Sequence, residues 1–335
     1  MSSVLFNSKL IKSFDLSSDG EKNIKNDVVY HYTSPEAFLS IIRSGKVRFT
    51  DVKYLNDKSE TLFFAKKLIE FTEKNNSNYP LFFEIVELLL PHDTWDAIKK
   101  LQVAKIPFND QLIVPYKSDR AFVFCASQDP DSLNMWNYYV KNGFYQGYSL
   151  GINIAKFIKT FDTEPNTAVD AFIVYYGNVL YDERKQFEEI EVLANELSKK
   201  TNNSSYDLQA AALNLRAYAE LQGLFYKSPK FKNEKEHRVI ISISNDRIPH
   251  NEAEAQKYIG INNQKMTEDY FVRGGLIVPA LSVVLPKDAI SKVYISPITE
   301  FEIAKASTEE LLVTYSYKYE NKAVDINKSE IPIRF

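Results

Sequence analysis

The stretch DVVYHYTSPEAFLSIIRSGKVRFT, residues 27–50, carries the fold reading, because it runs from a strand through a short helix to a second strand. Val28 to Thr33 has the β-branched and aromatic content of a strand. Ser34 then supplies an N-cap hydroxyl, Pro35 suits the first helical position, and Glu36 faces the helix dipole. Phe38, Ile41 and Ile42 fall on one face of the helix, Gly45 ends it, and KVRFT (46–50) resumes as a strand. Strand alternation puts Tyr30 and Tyr32 on the side opposite His31, one of four histidines in the chain.

Working outward, residues 1–27 are polar and weakly patterned and read as an arm. Residues 60–114 read as helical: in ETLFFAKKLIEFTEK the apolar positions keep the three-four spacing of a buried stripe. AFVFCAS (121–127) is a strand, SLNMWNYYV (132–140) a short helix, and YQGYSLGIN (145–153) and AFIVYYGNVLY (171–181) are strands. Helices follow at about 184–199 and 206–225. HRVIISIS (237–244), LIVPALSVVL (276–285) and KVYISP (292–297) read as strands, then helix TEFEIAKASTEELL and strand VTYSYKYE. The order predicts an α+β fold with a mixed, mostly antiparallel sheet: an arm over 1–27, then one domain over 28–335 with helical insertions at about 60–114 and 184–225.

Composition narrows the function classes. The chain has 335 residues, 44% hydrophobic and 13% aromatic, enough for a sizeable core. A net charge of −3 gives no global electrostatic drive toward nucleic acid or a membrane surface. Cys125 is the single cysteine, so an intrachain disulfide and a cysteine-rich zinc site are excluded, and its apolar setting reads as a buried, inert thiol. The N-terminus lacks a signal-peptide h-region and the most apolar interior run is too short to span a bilayer, so a soluble, cytoplasmic protein is expected. Only 10 glycines occur, and neither a P-loop nor a Rossmann fingerprint is present.

Four stretches hold residue types that packing alone does not require: Tyr30-His31-Tyr32-Thr33; YLNDKSE (54–60), with Asn56, Asp57 and Glu60; SQDPDSLNMWNYY (127–139); and KSPKFKNEKEHRVI (227–240), a basic loop leading into Glu234, Glu236 and Arg238. Each has an ordinary structural reading: a strand-end histidine satisfying a backbone group, an Asx turn, core aromatics and a solvated charge run.

Their order and combination resemble the bacterial family known as domain of unknown function 2971. YHYTSPEAFLSIIRSGKVRFTDVKYLNDKSE is similar to its opening block, FCASQDPDSLNMWNYYVKNGFYQGYSLGIN to its second and the Glu-x-Glu-x-Arg of KSPKFKNEKEHRVI to its third. SEIPIRF resembles its short tail. More distantly, the three blocks resemble the signature strands of ADP-ribosyltransferases of the His-Tyr-Glu type. That resemblance implies NAD as substrate and needs no metal. It implies His31 as the contact to the adenosine-side ribose, with Thr33 and Ser127 beside the cleft. Tyr139 or Tyr138, near Trp136, would supply the ring stacked on nicotinamide. Glu236 would be the catalytic acid, with Glu234 competing for that role and Arg238 supporting; Asn56, Asp57 and Glu60 have no counterpart in that pattern and are expected as supporting residues of the turn. It further implies a nucleic-acid or protein acceptor and a toxin or phage-defence role.

The chemistry suits these types. A fixed carboxylate stabilises the oxocarbenium character that develops as the nicotinamide–ribose bond breaks, and it could also deprotonate the acceptor. A flat ring over the cationic nicotinamide gains about 0.5–2 kcal/mol. A neutral histidine fixed by the backbone at one nitrogen is expected to donate to a ribose hydroxyl with the other. This chain departs from the pattern in offering Phe122 or Phe124 where the polymerase branch has a second-strand tyrosine. Two other readings stay open: a nucleotide- or nucleic-acid-binding module without turnover, and a metal-dependent nuclease using Asp129, Asp131, Glu234 and Glu236.

Overall fold

The computed structural model describes residues 11–13, 28–55, 60–100, 119–140, 146–161, 172–201, 205–245, 248–251, 253–254 and 266–332. The opening stretch folds as its sequence dictates: β2 (Val28–Thr33), α1 (Pro35–Ser44), β3 (Lys46–Asp51). The Ser34 hydroxyl accepts from the Ala37 N–H at 3.3 Å. Gly45 closes the helix at φ 65°, a left-handed angle that favours glycine.

The other strands are β1 (Ile11–Ser13), β4 (Asp119–Ser127), β5 (Tyr148–Asn153), β6 (Phe172–Asn178), β7 (Glu236–Ser244), β8 (Thr267–Arg273), β9 (Leu276–Val284), β10 (Ile290–Ile295) and β11 (Asp325–Lys328). They form one α+β sheet in the order β1-β6-β7-β4-β2-β5-β10-β11, with β3-β9-β8 branching from β4. All pairs are antiparallel except β1 with β6 and β10 with β11.

The branch point positions the site. One edge of β4 pairs with β7 along its whole length. The other is shared: β3 takes Phe122 and Val123, while β2 takes Ser127. Phe124, Cys125 and Ala126 lie in the split between β2 and β3.

Each face carries its own apolar layer. On one, α1, α6 (Ile154–Lys159) and α9 (Phe301–Thr314) cover Phe49, Phe122, Phe124, Val239 and Leu281. On the other, the two helical insertions pack on each other and on Ala121, Val123 and Ile240: α2 (Glu60–Asn75), α3 (Pro80–Leu89) and α4 (Trp95–Lys99) against α7 (Glu183–Lys200) and α8 (Ser205–Leu221). Fully buried Leu68, Ile69, Phe82, Ile85 and Leu215 each contribute about 1.5–3 kcal/mol to that packing. The short α5 (Leu133–Tyr139) covers Tyr30 and Tyr32 on this same face. Among the described residues, no helix is long and apolar enough to cross a membrane.

Three sequence readings need correction. Ile11–Ser13, inside the supposed arm, pairs with β6 as an edge strand. VTYSYKYE is not a strand: the helix runs on to Thr314, and the last strand is Asp325–Lys328. Thr267–Arg273 is a strand that its charged start conceals. The last part of the first helical insertion, residues 101–114, lies outside the described residues.

Candidate functional site

Glu236 opens β7 beside Ser127, the last residue of β4. Four bonds fix that corner. The Ser127 hydroxyl donates to the Glu234 carbonyl at 2.7 Å, and Gln128 N–H to the Lys235 carbonyl at 2.8 Å. Glu236 N–H donates to the Tyr181 hydroxyl at 3.1 Å, and its carbonyl accepts from Val179 N–H at 2.9 Å. Lys235 turns the chain between Glu234 and Glu236 at φ 44°, ψ 48°, a left-handed conformation costing a non-glycine residue about 1 kcal/mol. That kink lets both carboxylates meet one cation.

The cation is Lys227, 4% exposed, whose Nζ lies 2.5 Å from Glu234 Oε2 and 3.2 Å from Glu236 Oε2. Gln186, itself buried, holds the Lys227 carbonyl at 2.9 Å. Arg238, one alternation along β7, donates to Glu236 Oε2 at 2.8 Å and to the Leu224 carbonyl at 2.5 Å. The cluster holds two carboxylates and two cations, so the charges balance where an unpaired one would be costly. Burial pushes the Glu236 carboxyl upward, but Arg238 and Lys227 together outweigh it and hold the group below the usual carboxylate range. Glu236 is therefore a fixed anion.

Tyr139, at the end of α5 and 37% exposed, lies close enough for its hydroxyl to feel this anion. Burial first, then the negative charge of Glu236, raises its hydroxyl far above the ordinary range, so it stays neutral. Arg273, from the β8–β9 hairpin, lies close enough to feel the Tyr139 hydroxyl and donates to the Tyr54 carbonyl. Tyr54 is similarly exposed, at 40%.

His31 reaches the split from the other face. Tyr30 sits opposite Ser127, and Ser127 opposite Glu236, so those side chains share a face and neighbouring His31 points away from it. Its ring packs on Phe124 at 4.8 Å, and Nδ1 lies 3.1 Å from the Cys125 carbonyl. Burial lowers its pKa and keeps it neutral. A carbonyl only accepts, so Nδ1 carries the proton and Nε2 is an acceptor. That reverses the expected donor role toward a ribose hydroxyl. Cys125 joins the two ends, its carbonyl on His31 and its thiol hydrogen-bonded to Glu236. Cys125 is partly exposed rather than fully buried as expected, and it packs against the apolar layer of the helical insertions.

The remaining expected residues divide. Trp136 is wholly buried, edge-on to Tyr32 at 4.7 Å, with its indole N–H on Asp131 at 2.8 Å; it anchors α5 and is closed to a ligand. Tyr138 is exposed, Thr33 buried, and the Ser127 hydroxyl is engaged in holding the turn. Phe122 and Phe124 are core. Asn56 and Asp57 lie outside the described residues, as does the side chain of Glu60. Asp129 pairs with Lys235 at 2.9 Å. Asp131 binds Trp136, the Ser329 hydroxyl and the Glu330 N–H, so neither aspartate joins the two glutamates. No cluster of three metal-ligating side chains occurs among the described residues.

Sequence reasoning missed Lys227, Tyr181 and Arg273. KSPKFK reads as a basic loop suited to an acidic acceptor, yet its first lysine is the buried partner of both glutamates. The signal available for Arg273 was the Arg-Gly-Gly-Leu turn between two apolar alternations, a hairpin signature.

No curated protein and no solved structure matches the chain. The opening block with His31 lies outside the one stretch for which a family model was matched. That stretch, residues 135–239, brings together α5 with Tyr139, Lys227 and the Glu234-Glu236-Arg238 motif, and it matches the family described as Protein of unknown function (DUF2971).

Proposed function

We propose that this protein is an ADP-ribosyltransferase-like enzyme that cleaves the nicotinamide–ribose bond of NAD and passes ADP-ribose to a nucleic-acid or protein acceptor. In this reading it acts in the cytoplasm as a toxin or phage-defence effector. The observation that carries the proposal is the buried, ionised Glu236 at the head of β7, paired with Arg238 and Lys227, with its charge felt by the hydroxyl of Tyr139. The Tyr139 ring stacks on nicotinamide. As the C–N bond breaks, its electron pair leaves with neutral nicotinamide and Glu236 stabilises the cationic sugar. The acceptor's nucleophile then forms the new bond to the sugar carbon and releases its proton to solvent. A carboxyl held below its usual range is a weak base, so the electrostatic role outweighs the general-base role. His31 lies on the opposite face of the sheet, packed on Phe124, and takes no part in this step.

A second reading, a nucleotide-binding module without turnover, is favoured by one feature. Lys227 and Arg238 already neutralise Glu236, which is only 3% exposed. Nicotinamide release from NAD in the presence of a nucleic-acid and protein lysate separates the two. The transferase reading expects release that is lost in Glu236→Gln, kept in Asp129→Ala and indifferent to chelator. Binding without release supports the module, and release abolished by chelator overturns both in favour of metal chemistry.

A further inference from the structure

The β8–β9 hairpin exposes apolar side chains at its tip: Val272 is 75% exposed, Ile277 71% and Tyr270 53%. β8 is also the last strand of its branch, pairing with β9 alone among the described residues. A free edge flanked by exposed apolar residues is a template for strand addition.

The hairpin geometry defines which backbone groups that edge offers. Gly274 and Gly275, at φ 57° and 81°, form a two-residue turn, so Arg273 and Leu276 flank it as a bonded pair. Asp269, Phe271 and Arg273 then bond to β9, while the main-chain groups of Glu268, Tyr270 and Val272 point outward. Two contacts agree. Glu268 N–H donates to the Pro249 carbonyl at 2.8 Å, and Tyr270 N–H to the carboxylate of Asp269 at 2.8 Å. The first is a tertiary contact that blocks the Glu268 end of the edge. The second is a local cap that a strand partner can displace.

We propose that two copies of this chain pair antiparallel through β8, about a two-fold axis at Phe271. Opposed residues in an antiparallel pair share a face, so a symmetric pairing must centre on a residue. Centring on Tyr270 would require the Glu268 N–H that Pro249 holds. Centring on Phe271 uses only Tyr270 and Val272, each exchanging both main-chain bonds with the other's counterpart. It sets Tyr270 against Val272, covering two of the exposed side chains, and Asp269 against Arg273, twice over by symmetry. Asp269 keeps its pair with Arg48 through Oδ2 at 2.7 Å, and its Oδ1, released from the Tyr270 N–H, becomes available to that arginine. The segment Asp-Tyr-Phe-Val-Arg is thus complementary to itself in charge and in apolar pairing, which selects a second copy over an unrelated strand. This inference does not depend on the proposed activity.

Sedimentation of the full chain across a concentration series tests it. The wild type is expected to show a reversible monomer–dimer equilibrium. Val272→Pro removes an outward N–H without touching the β9 ladder and is expected to weaken the dimer at least tenfold. Asp269→Arg does the same, and adding Arg273→Asp restores pairing. Under a mild thiol oxidant, Phe271→Cys is expected to give a covalent dimer, because the two residues face each other across the axis, whereas Tyr270→Cys does not. A wild type that stays monomeric throughout, a Val272→Pro dimer of unchanged strength, or an edge that binds extended peptides but not a second copy overturns the proposal.

Discussion

The head of β7 and the tip of the β8–β9 hairpin break the usual partition of residues in opposite ways. At β7, Lys227, Glu234, Glu236 and Arg238 are buried, although charged side chains are seldom buried unless paired. At the hairpin, Val272, Leu276 and Ile277 are more than 60% exposed. The first arrangement costs desolvation energy and returns a carboxylate of fixed charge and position. The second leaves apolar surface in water beside an open strand edge. A protein shaped by stability alone would do neither, so these are the two places where function is to be sought.

The largest expected effect comes from unbalancing the buried cluster. Arg238→Leu removes one cation from Glu236 and is expected to cost about 3–5 kcal/mol in chemical denaturation. Lys227→Met falls in the same range. Adding Glu234→Gln to Lys227→Met should recover part of that loss, since the second change removes an uncompensated charge. Additive losses would show that the four groups do not act as a unit.

The pH dependence sharpens the comparison further. His237 is buried in β7 with Nδ1 on Asn178 at 2.7 Å and no partner for Nε2 among the described residues, and burial lowers its pKa to about 4. An unfolded histidine titrates near 6.5, so between those values the unfolded chain binds a proton that the folded chain does not. Stability therefore falls as pH drops from about 6.5 to about 4, by about 3 kcal/mol in total. Glu236 acts lower: its folded pKa is depressed, so its contribution is present above the unfolded carboxylate value and is lost as pH falls through the folded one. His237→Phe is expected to flatten the upper part of the denaturation profile and leave the lower part. An unchanged slope between pH 6.5 and 4 would remove His237 from the account.

The smallest effect belongs to the hairpin. Val272→Ser should change monomer stability by less than about 0.5 kcal/mol, because the side chain makes few contacts to lose. A larger loss in thermal unfolding would mean that the tip is part of the core.

Local order was readable in the sequence where it decides structure by itself. Ser34, Pro35 and Gly45 capped α1 as read, and the Tyr30–His31–Tyr32 alternation placed the tyrosines opposite the histidine. The α+β class followed from the order of the strands and helices. Long-range consequences were not readable. That Lys227 folds inward depends on a 3₁₀ turn over Pro229–Glu234 and the left-handed Lys235, neither of which a charge pattern reveals. That His31 and Glu236 lie on opposite faces follows from the Tyr30–Ser127–Glu236 register, which joins segments roughly a hundred residues apart. Trp136 looked like a ligand ring because it is aromatic beside aromatics, while in three dimensions it is a buried anchor bonded to Asp131.

The central claim is that the Tyr139–Glu236 face of the split binds NAD, and calorimetric titration of NAD tests it most directly. Tyr139→Ala is expected to weaken binding about tenfold, in line with the loss of one stacked ring, while Tyr138→Ala, at the neighbouring and more exposed ring, leaves it unchanged. Equal affinity in the wild type and Tyr139→Ala, or no NAD binding by the folded wild type, would contradict the account.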